Sequence, residues 1–328
     1  MTTPNVERQP SRTGQLGRNL REIEGIYAPP GLHWVGDGFR VAGYFSAIPD
    51  AVRKLDPFLL LDYHPTYDYA PSSHRRGVGV HPHRGFETVT LAFQGSVAHH
   101  DSSGGGGIIG PGDVQWMTAA SGILHQEYHD DSYGRRGGPL QMAQLWVNLP
   151  RAHKMAPPRY QPLLADQMGI VDLPDGSGVV RVVAGGYQGV EGPAKTFTSI
   201  DVFDARLRAG GTLELSFPAR HNTAFLVMKG GVVINASQRA GDNDFVVFDN
   251  VGERVSIEAT AETQLLVLSG EPIGEPVVQH GPFVMNTERE IVQAITDLNR
   301  GKFGTLEDGS RATELAEPQL AEPRGEQR

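Results

Sequence analysis

The chain is 328 residues long, 39% hydrophobic and 20% charged, enough to bury two cores rather than one. Its 29 Lys and Arg are outnumbered by 38 Asp and Glu, and the net charge of −9 argues against direct nucleic-acid binding, which needs clustered positive charge to displace counterions. With no cysteine, disulfides, thiolate metal sites and cysteine nucleophiles are excluded.

Residues 1–24 are polar and aperiodic, Arg8, Arg12, Arg18 and Arg21 among them, and are expected to form a flexible tail. No basic-then-apolar leader opens the chain and no apolar run approaches ~20 residues, so the expectation is a cytoplasmic protein without membrane contact. Beyond the tail, 41 Gly and 23 Pro favour many short strands over a helical bundle. Alternating apolar residues between turn residues predict strands at Phe58–His64, Glu87–Phe93, Ser96–Asp101, Gln141–Leu149, Gly178–Val183, Ser199–Leu207, Thr212–Phe217, Thr223–Met228, Phe245–Phe248, Arg254–Ala259 and Thr263–Leu268. The glycine run Gly104–Gly107 lacks the Lys-Ser/Thr and the helix of a phosphate loop and reads as a hairpin or Ω-type loop. Near the end, Thr287 and Glu290 form a capping box ahead of the stripe Ile291, Ala294, Ile295 and Leu298, and Gly301 stops the helix.

A weak internal repeat runs through the strands. Glu87–Phe93, a turn at Gly95 and Gly112-Asp113-Val114 correspond to Thr223–Met228, a turn at Gly230 and Gly241-Asp242. Two small antiparallel barrels or sandwiches in tandem would explain it. The expected boundaries are 25–155 for the first unit, 156–286 for the second, 287–303 for the helix and 304–328 for an acidic tail.

Histidine placement carries the chemistry. His81-Pro-His83 and His125-Gln-Glu127 are pairs two residues apart, and on a strand such residues share a face. On neighbouring strands the two pairs could converge four ligand atoms, three imidazoles and a carboxylate, on one divalent ion. That set suits Fe(II), Ni, Mn, Co, Cu or Zn and suits calcium or magnesium poorly. A lone His-x-His also occurs on solvated surfaces; two pairs with one period inside a single repeat carry more weight. The second copy offers Ser216 and Pro218 where the first has His81 and His83, so one metal is expected, in the first unit. His99 and His100, His129 and His221 read as structural or solvated, with His99-His100 in the outward part of a hairpin strand. Glu87 is a candidate alternative ligand unless Gly85 interrupts the strand parity with a bulge. Trp116, Met117 and Trp146 read as core more than pocket.

The runs His81-Pro-His-Arg-Gly-Phe-Glu-Thr-Val-Thr90, Pro111-Gly-Asp-Val-Gln-Trp-Met-Thr-Ala119, Gly122-Ile-Leu-His-Gln-Glu127, Leu145-Trp-Val-Asn-Leu149 and Gln279-His-Gly-Pro-Phe-Val-Met-Asn-Thr287 resemble the pirin family of the cupin superfamily. The resemblance covers about residues 28–303. It implies an all-β bicupin of two tandem antiparallel barrels with a short C-terminal helix, and one metal, iron first, held by His81, His83, His125 and Glu127. It also implies quercetinase chemistry, the oxygen-dependent ring opening of flavonols. The preferred reading is accordingly a dioxygenase acting on a flavonol or similar enolic aromatic, in which Glu127, as a carboxylate ligand able to dissociate, serves as the base that takes the substrate proton. The family also includes an iron-dependent nuclear cofactor that modulates transcription factors, so the resemblance implies a regulatory role as well. The alternative is therefore a non-catalytic metal- or redox-sensing protein that docks a regulatory partner. An isomerase, as among other cupins, would want basic anchors, and only Arg84 adjoins the ligands. The glycine run, Ala120-Ser121 and the acidic tail depart from the family pattern.

Overall fold

The computed structural model describes residues 19–306. Most of the expected flexible tails, and Arg8, Arg12 and Arg18, lie outside the described residues. Two β-barrels follow one plan, each a seven-stranded sheet packed with a four-stranded one. The first pairs Arg159–Leu163, Val114–Thr118, Phe86–Gln94, Gly138–Asn148, Phe58–Tyr69, Phe39–Gly43 and His33–Val35 in that order. Its small sheet runs Gly77–His83, Ile123–His129, Val97–Asp101 and Gly106–Ile109. The second repeats this with Ile23–Tyr27, Phe245–Phe248, Asn222–Lys229, Thr263–Gly270, Ile200–Leu207, Gly178–Ala184 and Gly169–Asp172 over Thr212–Ser216, Arg254–Ala259, Val232–Ile234 and Gln238–Ala240. The strands predicted from alternation are present, with ends shifted by a few residues. The glycine run closes the hairpin between Val97–Asp101 and Gly106–Ile109.

The two large sheets face each other across one apolar layer, in which Val89, Leu91, Trp116, Leu145 and Val147 meet Val202, Leu226, Phe245, Leu266 and Leu268. This layer fastens the barrels together.

The domain boundaries need correction, because each barrel takes a strand from the other's stretch of sequence. Ile23–Tyr27 pairs with Phe245–Phe248 of the second barrel, and Arg159–Leu163 pairs with Val114–Thr118 of the first. Each exchanged strand covers a sheet edge that would otherwise present unpaired backbone groups. The tail boundaries move as well. Arg21 is buried, its guanidinium donating to the carbonyls of His221 and Pro218 at 2.7 Å each. At the other end Leu306 is buried, beyond the expected start of the acidic tail.

The predicted helix forms at Glu288–Asn299, with Thr287 Oγ1 accepting from the Glu290 N–H. The Glu290 carboxylate accepts in return from the Asn286 N–H at 3.0 Å, one residue before the usual capping-box partner. Although it follows the second barrel in sequence, the helix packs on the first. Ile291, Ala294, Ile295 and Leu298 cluster with Phe283, Met285, Phe303 and Leu124, with Val80 against them. No described helix is long and apolar enough to cross a membrane.

Candidate metal centre

The small sheet of the first barrel positions the histidines. Strand Ile123–His129 pairs antiparallel with Gly77–His83, setting His125 opposite His81 and Ile123 opposite His83. On its other side it pairs with Val97–Asp101, setting His125 opposite Asp101 and Glu127 opposite His99. Residues directly opposite share a face, so one inner surface carries His81, His83, His125, Glu127, His99 and Asp101. The ring centroids of His81, His83 and His125 lie 4.1–4.9 Å apart.

One ring nitrogen from each of His81, His83 and His125 falls within 4.8 Å of the others, a spacing that lets them share an ion. Glu127 does not belong to this triplet. It forms a second one with His99 and His125, so His125 joins the two. The Glu127 carboxylate accepts from Gln115 Nε2 at 2.6 Å, Gln144 Nε2 at 2.9 Å and Thr90 Oγ1 at 3.3 Å, donors that hold it against the barrel wall.

Burial lowers the pKa of His81, His83 and His125, for the last two well below the ordinary imidazole value, with neighbouring histidines adding to the effect. Neutral rings are what a metal requires. His81 Nδ1 lies 2.8 Å from the carbonyl of Gly79, which can only accept; that nitrogen therefore carries the proton and Nε2 is left as the donor atom. His83 Nδ1 stands 3.4 Å from the carbonyl of Pro282 in a similar role. His125 Nε2 is buried without a hydrogen-bond partner, which fits a nitrogen whose lone pair serves a metal.

The surroundings are closely packed. Trp146 meets His83 edge-on at 5.3 Å and packs on Phe86, whereas Trp116 is core between the barrels. Met117 lies with Ala119, Ile123 and Tyr160 under the ligand strand. Gly85 has φ +91, and a Cβ there would meet the Val284 carbonyl at 1.9 Å, so only glycine lets the ligand loop pass this close to the C-terminal segment. Lys154 Nζ clamps the same crossing, donating to the carbonyls of Gly85 and Val284 and to Asn148 Oδ1. Arg84 turns away from the ligands and pairs with Asp297 on the helix at 3.0 Å, which leaves the isomerase reading without its anchor.

Strand parity is interrupted at Gly85, the alternative left open for Glu87, and Glu87 falls on the face of Val89 and Leu91, away from the histidine triplet, where it accepts from Thr118 Oγ1 at 2.6 Å. Burial raises its pKa to about 7. His99 is not outward; it is fully buried, with Nδ1 3.3 Å from His125 Nδ1. The signal lay in the sequence, since adjacent strand residues face opposite sides and one of His99 and His100 had to point inward. His129 is structural as expected, buried with Nε2 2.8 Å from the Gly38 carbonyl. His221 is buried, just before the strand Asn222–Lys229 of the second barrel.

Comparison with known proteins fits this architecture. The Pirin family profile matches residues 38–147, and the Pirin C-terminal cupin domain matches residues 202–304. A Pseudomonas aeruginosa protein provisionally named quercetin 2,3-dioxygenase is 50% identical over 284 residues, covering 87% of this chain and 99% of its own length. Mouse pirin is 37% identical over 260 residues, covering 77% and 84%. The 1.88 Å crystal structure of quercetin 2,3-dioxygenase from Acinetobacter baumannii superposes with a TM-score of 0.83 at 44% identity, covering 87% of this chain and 99% of that one.

Proposed function

This chain belongs to the pirin family, and from that premise we propose that it is a metal-dependent dioxygenase that opens the ring of a flavonol or a similar enolic aromatic. The observation that carries the reading is the triplet of convergent histidines His81, His83 and His125, with the buried Nε2 of His125 otherwise unpartnered. Likeness to the Acinetobacter quercetin 2,3-dioxygenase supports the substrate class.

His81, His83 and His125 would hold one divalent transition metal, Fe(II) first, with Glu127 beside them as a fourth ligand. When bound, the metal supplies Lewis acidity and the redox partner for oxygen. The chain's own residues do the rest. Trp146 and Phe86 present an apolar wall next to His83, which excludes water and suits a planar substrate. Glu127 takes the proton of the substrate's enolic hydroxyl, aimed by Gln115, Gln144 and Thr90.

Glu127→Gln tests the assignment. Three histidines remain, so much of the metal should stay, but the amide cannot accept the proton, and quercetin turnover per bound metal should fall about 10²-fold. Oxygen uptake normalised to metal content measures both. Wild-type turnover in the variant would remove Glu127 as base. Absence of turnover in the parent protein with any metal loaded would replace the dioxygenase by a regulatory metal-binding protein.

A further inference from the structure

We propose that Asp101 and His99 form a hydrogen-bonded chain that sets the tautomer of His125, and so decides which of its ring nitrogens is free to bind a metal. The proposal rests on the metal-binding reading above and assigns a positioning role to two residues outside its ligand set.

The chain starts in the hairpin of the glycine run. Asp101 Oδ1 accepts from the backbone N–H of Ser103 at 2.9 Å, the N–H of Gly105 at 3.0 Å and the Ser103 hydroxyl at 2.7 Å. Three donors on one oxygen fix the carboxylate and turn Oδ2 toward His99 Nε2, 3.1 Å away. Both side chains are fully buried. Glycine is required at 105, because a Cβ there would stand 2.5 Å from Asp101 Oδ2 and 2.9 Å from Tyr160 Cβ. Tyr160 stacks on the His99 ring at 5.1 Å and 20°, which holds its plane.

The direction of each hydrogen bond then follows. A carboxylate oxygen only accepts, so His99 Nε2 carries the hydrogen. The proposal takes His99 in its neutral form, which has a single N–H, so His99 Nδ1 is then a lone pair. The group facing it is His125 Nδ1, at 3.3 Å. Two lone pairs at that distance repel, so His125 Nδ1 carries its hydrogen and donates it. His125 Nε2 is thereby left as a lone pair, and it is this buried atom that has no protein partner. His81 obtains the same tautomer from a backbone carbonyl, as His83 does from Pro282. His125 obtains it from a side chain two steps removed, and for that reason it can be inverted by substitution.

Asp101→Asn should invert it. The two turn N–H groups and the Ser103 hydroxyl still need an acceptor and keep the amide oxygen, so the amide NH2 must face His99 Nε2. His99 then accepts at Nε2 and donates from Nδ1, and His125 is driven to carry its hydrogen on Nε2, toward the other ligands. The measurement is the ring-nitrogen spectrum of ¹⁵N-labelled, metal-free protein, with resonances identified from single-histidine variants. The parent should show His125 protonated at Nδ1, and Asp101→Asn should show it at Nε2. Zn(II) affinity, read by chelator competition, should fall about 10–100-fold in the variant, the scale for groups that orient metal ligands. His99→Gln, whose amide can accept from His125 and donate to Asp101, should keep the parent tautomer and affinity, whereas His99→Leu should lose both.

A parent His125 protonated at Nε2, or a doubly protonated His99, overturns the proposal without any variant. So does an Asp101→Asn protein that binds Zn(II) as the parent does. If the tautomers switch as stated while the parent binds no divalent ion, the chain stands and the metal reading falls.

Discussion

The two barrels share a plan and differ in what fills them. Equivalent positions follow from the strand register: Thr90 lies opposite Gln115 and Gln144 in the first barrel, and Phe225 lies opposite Val246 and Val267 in the second. A polar trio that aims Glu127 thus stands where the other barrel has an apolar trio. The same holds for the small sheets. Where the first carries histidines and Glu127, the second supplies Leu213, Leu215, Val255 and Ile257 to a continuous core with Phe203 and Leu265. One barrel stores stability in its interior; the other gives up apolar interior for a site. The first is stabilised instead from outside, by the layer shared with its twin and by the C-terminal helix.

Breaking the site should leave this division visible. His81→Ala or His125→Ala should abolish stoichiometric binding, weakening affinity beyond the roughly 10–100-fold of supporting residues, whereas His221→Ala in the second barrel should not change it. Elemental analysis should give one metal per chain; two per chain would mean that the second barrel also holds one.

Removing the outside support is the next largest effect. Truncation before Thr287 exposes Leu124 and Phe283 and leaves buried Arg84 without Asp297, a loss on the order of 5 kcal/mol. Truncation after Leu306 should leave the melting temperature nearly unchanged. Equal melting of the two truncated chains would show that the helix does not support the first barrel.

Interior substitutions sharpen the contrast between the fillings. Phe225→Ala should cost about 3–5 kcal/mol in denaturant unfolding with metal content unchanged. Gln115→Val, which imports the second barrel's residue into the first, should instead lower turnover per metal by freeing Glu127, with a smaller loss of stability. Reversal of these two patterns would mean that the interiors do not divide the work.

The smallest effect concerns Glu87, between the barrels. Its folded pKa, raised to about 7 from 4.5, means that the folded state binds more protons than the unfolded one between those values. Stability therefore falls as pH rises through that window and stays lower above it. Glu87→Gln should be neutral near pH 4 and more stable by about 1–3 kcal/mol at pH 8, without loss of metal. Thermal melting at both pH values checks it, and a drop in metal content would restore Glu87 as a ligand.

The repeat was visible in the sequence because each copy has to end its strands with turn residues, but its phase was not. Hydrogen bonds place Asp113 in the role of Asp244 rather than Asp242: each carboxylate accepts from the N–H three residues before it, at Gly110 and Gly241, and each backbone carbonyl accepts from the neighbouring strand, at Ala92 and Val227. The counterpart of Gly241 is Gly110 rather than Gly112, so matching the Gly-Asp dipeptides of the two copies slips the phase by two residues, and local sequence alone cannot see it.

Local physics is what a sequence carries unaided. Strand alternation, glycine turns, the cap at Thr287 and the same-face pairs His81-His83 and His125-Glu127 all depend on residues a few positions apart, and all of them were legible. Tertiary structure decided the rest, because each remaining feature needs a partner far along the chain. The exchange of Ile23–Tyr27 and Arg159–Leu163 depends on which sheet edges stay open. The docking of the helix on the first barrel depends on the apolar face left by Val80 and Leu124. The parity break at Gly85 depends on the backbone of Val284. His99 acquires its place only when the hairpin register sets it opposite Glu127, and Asp101 opposite His125.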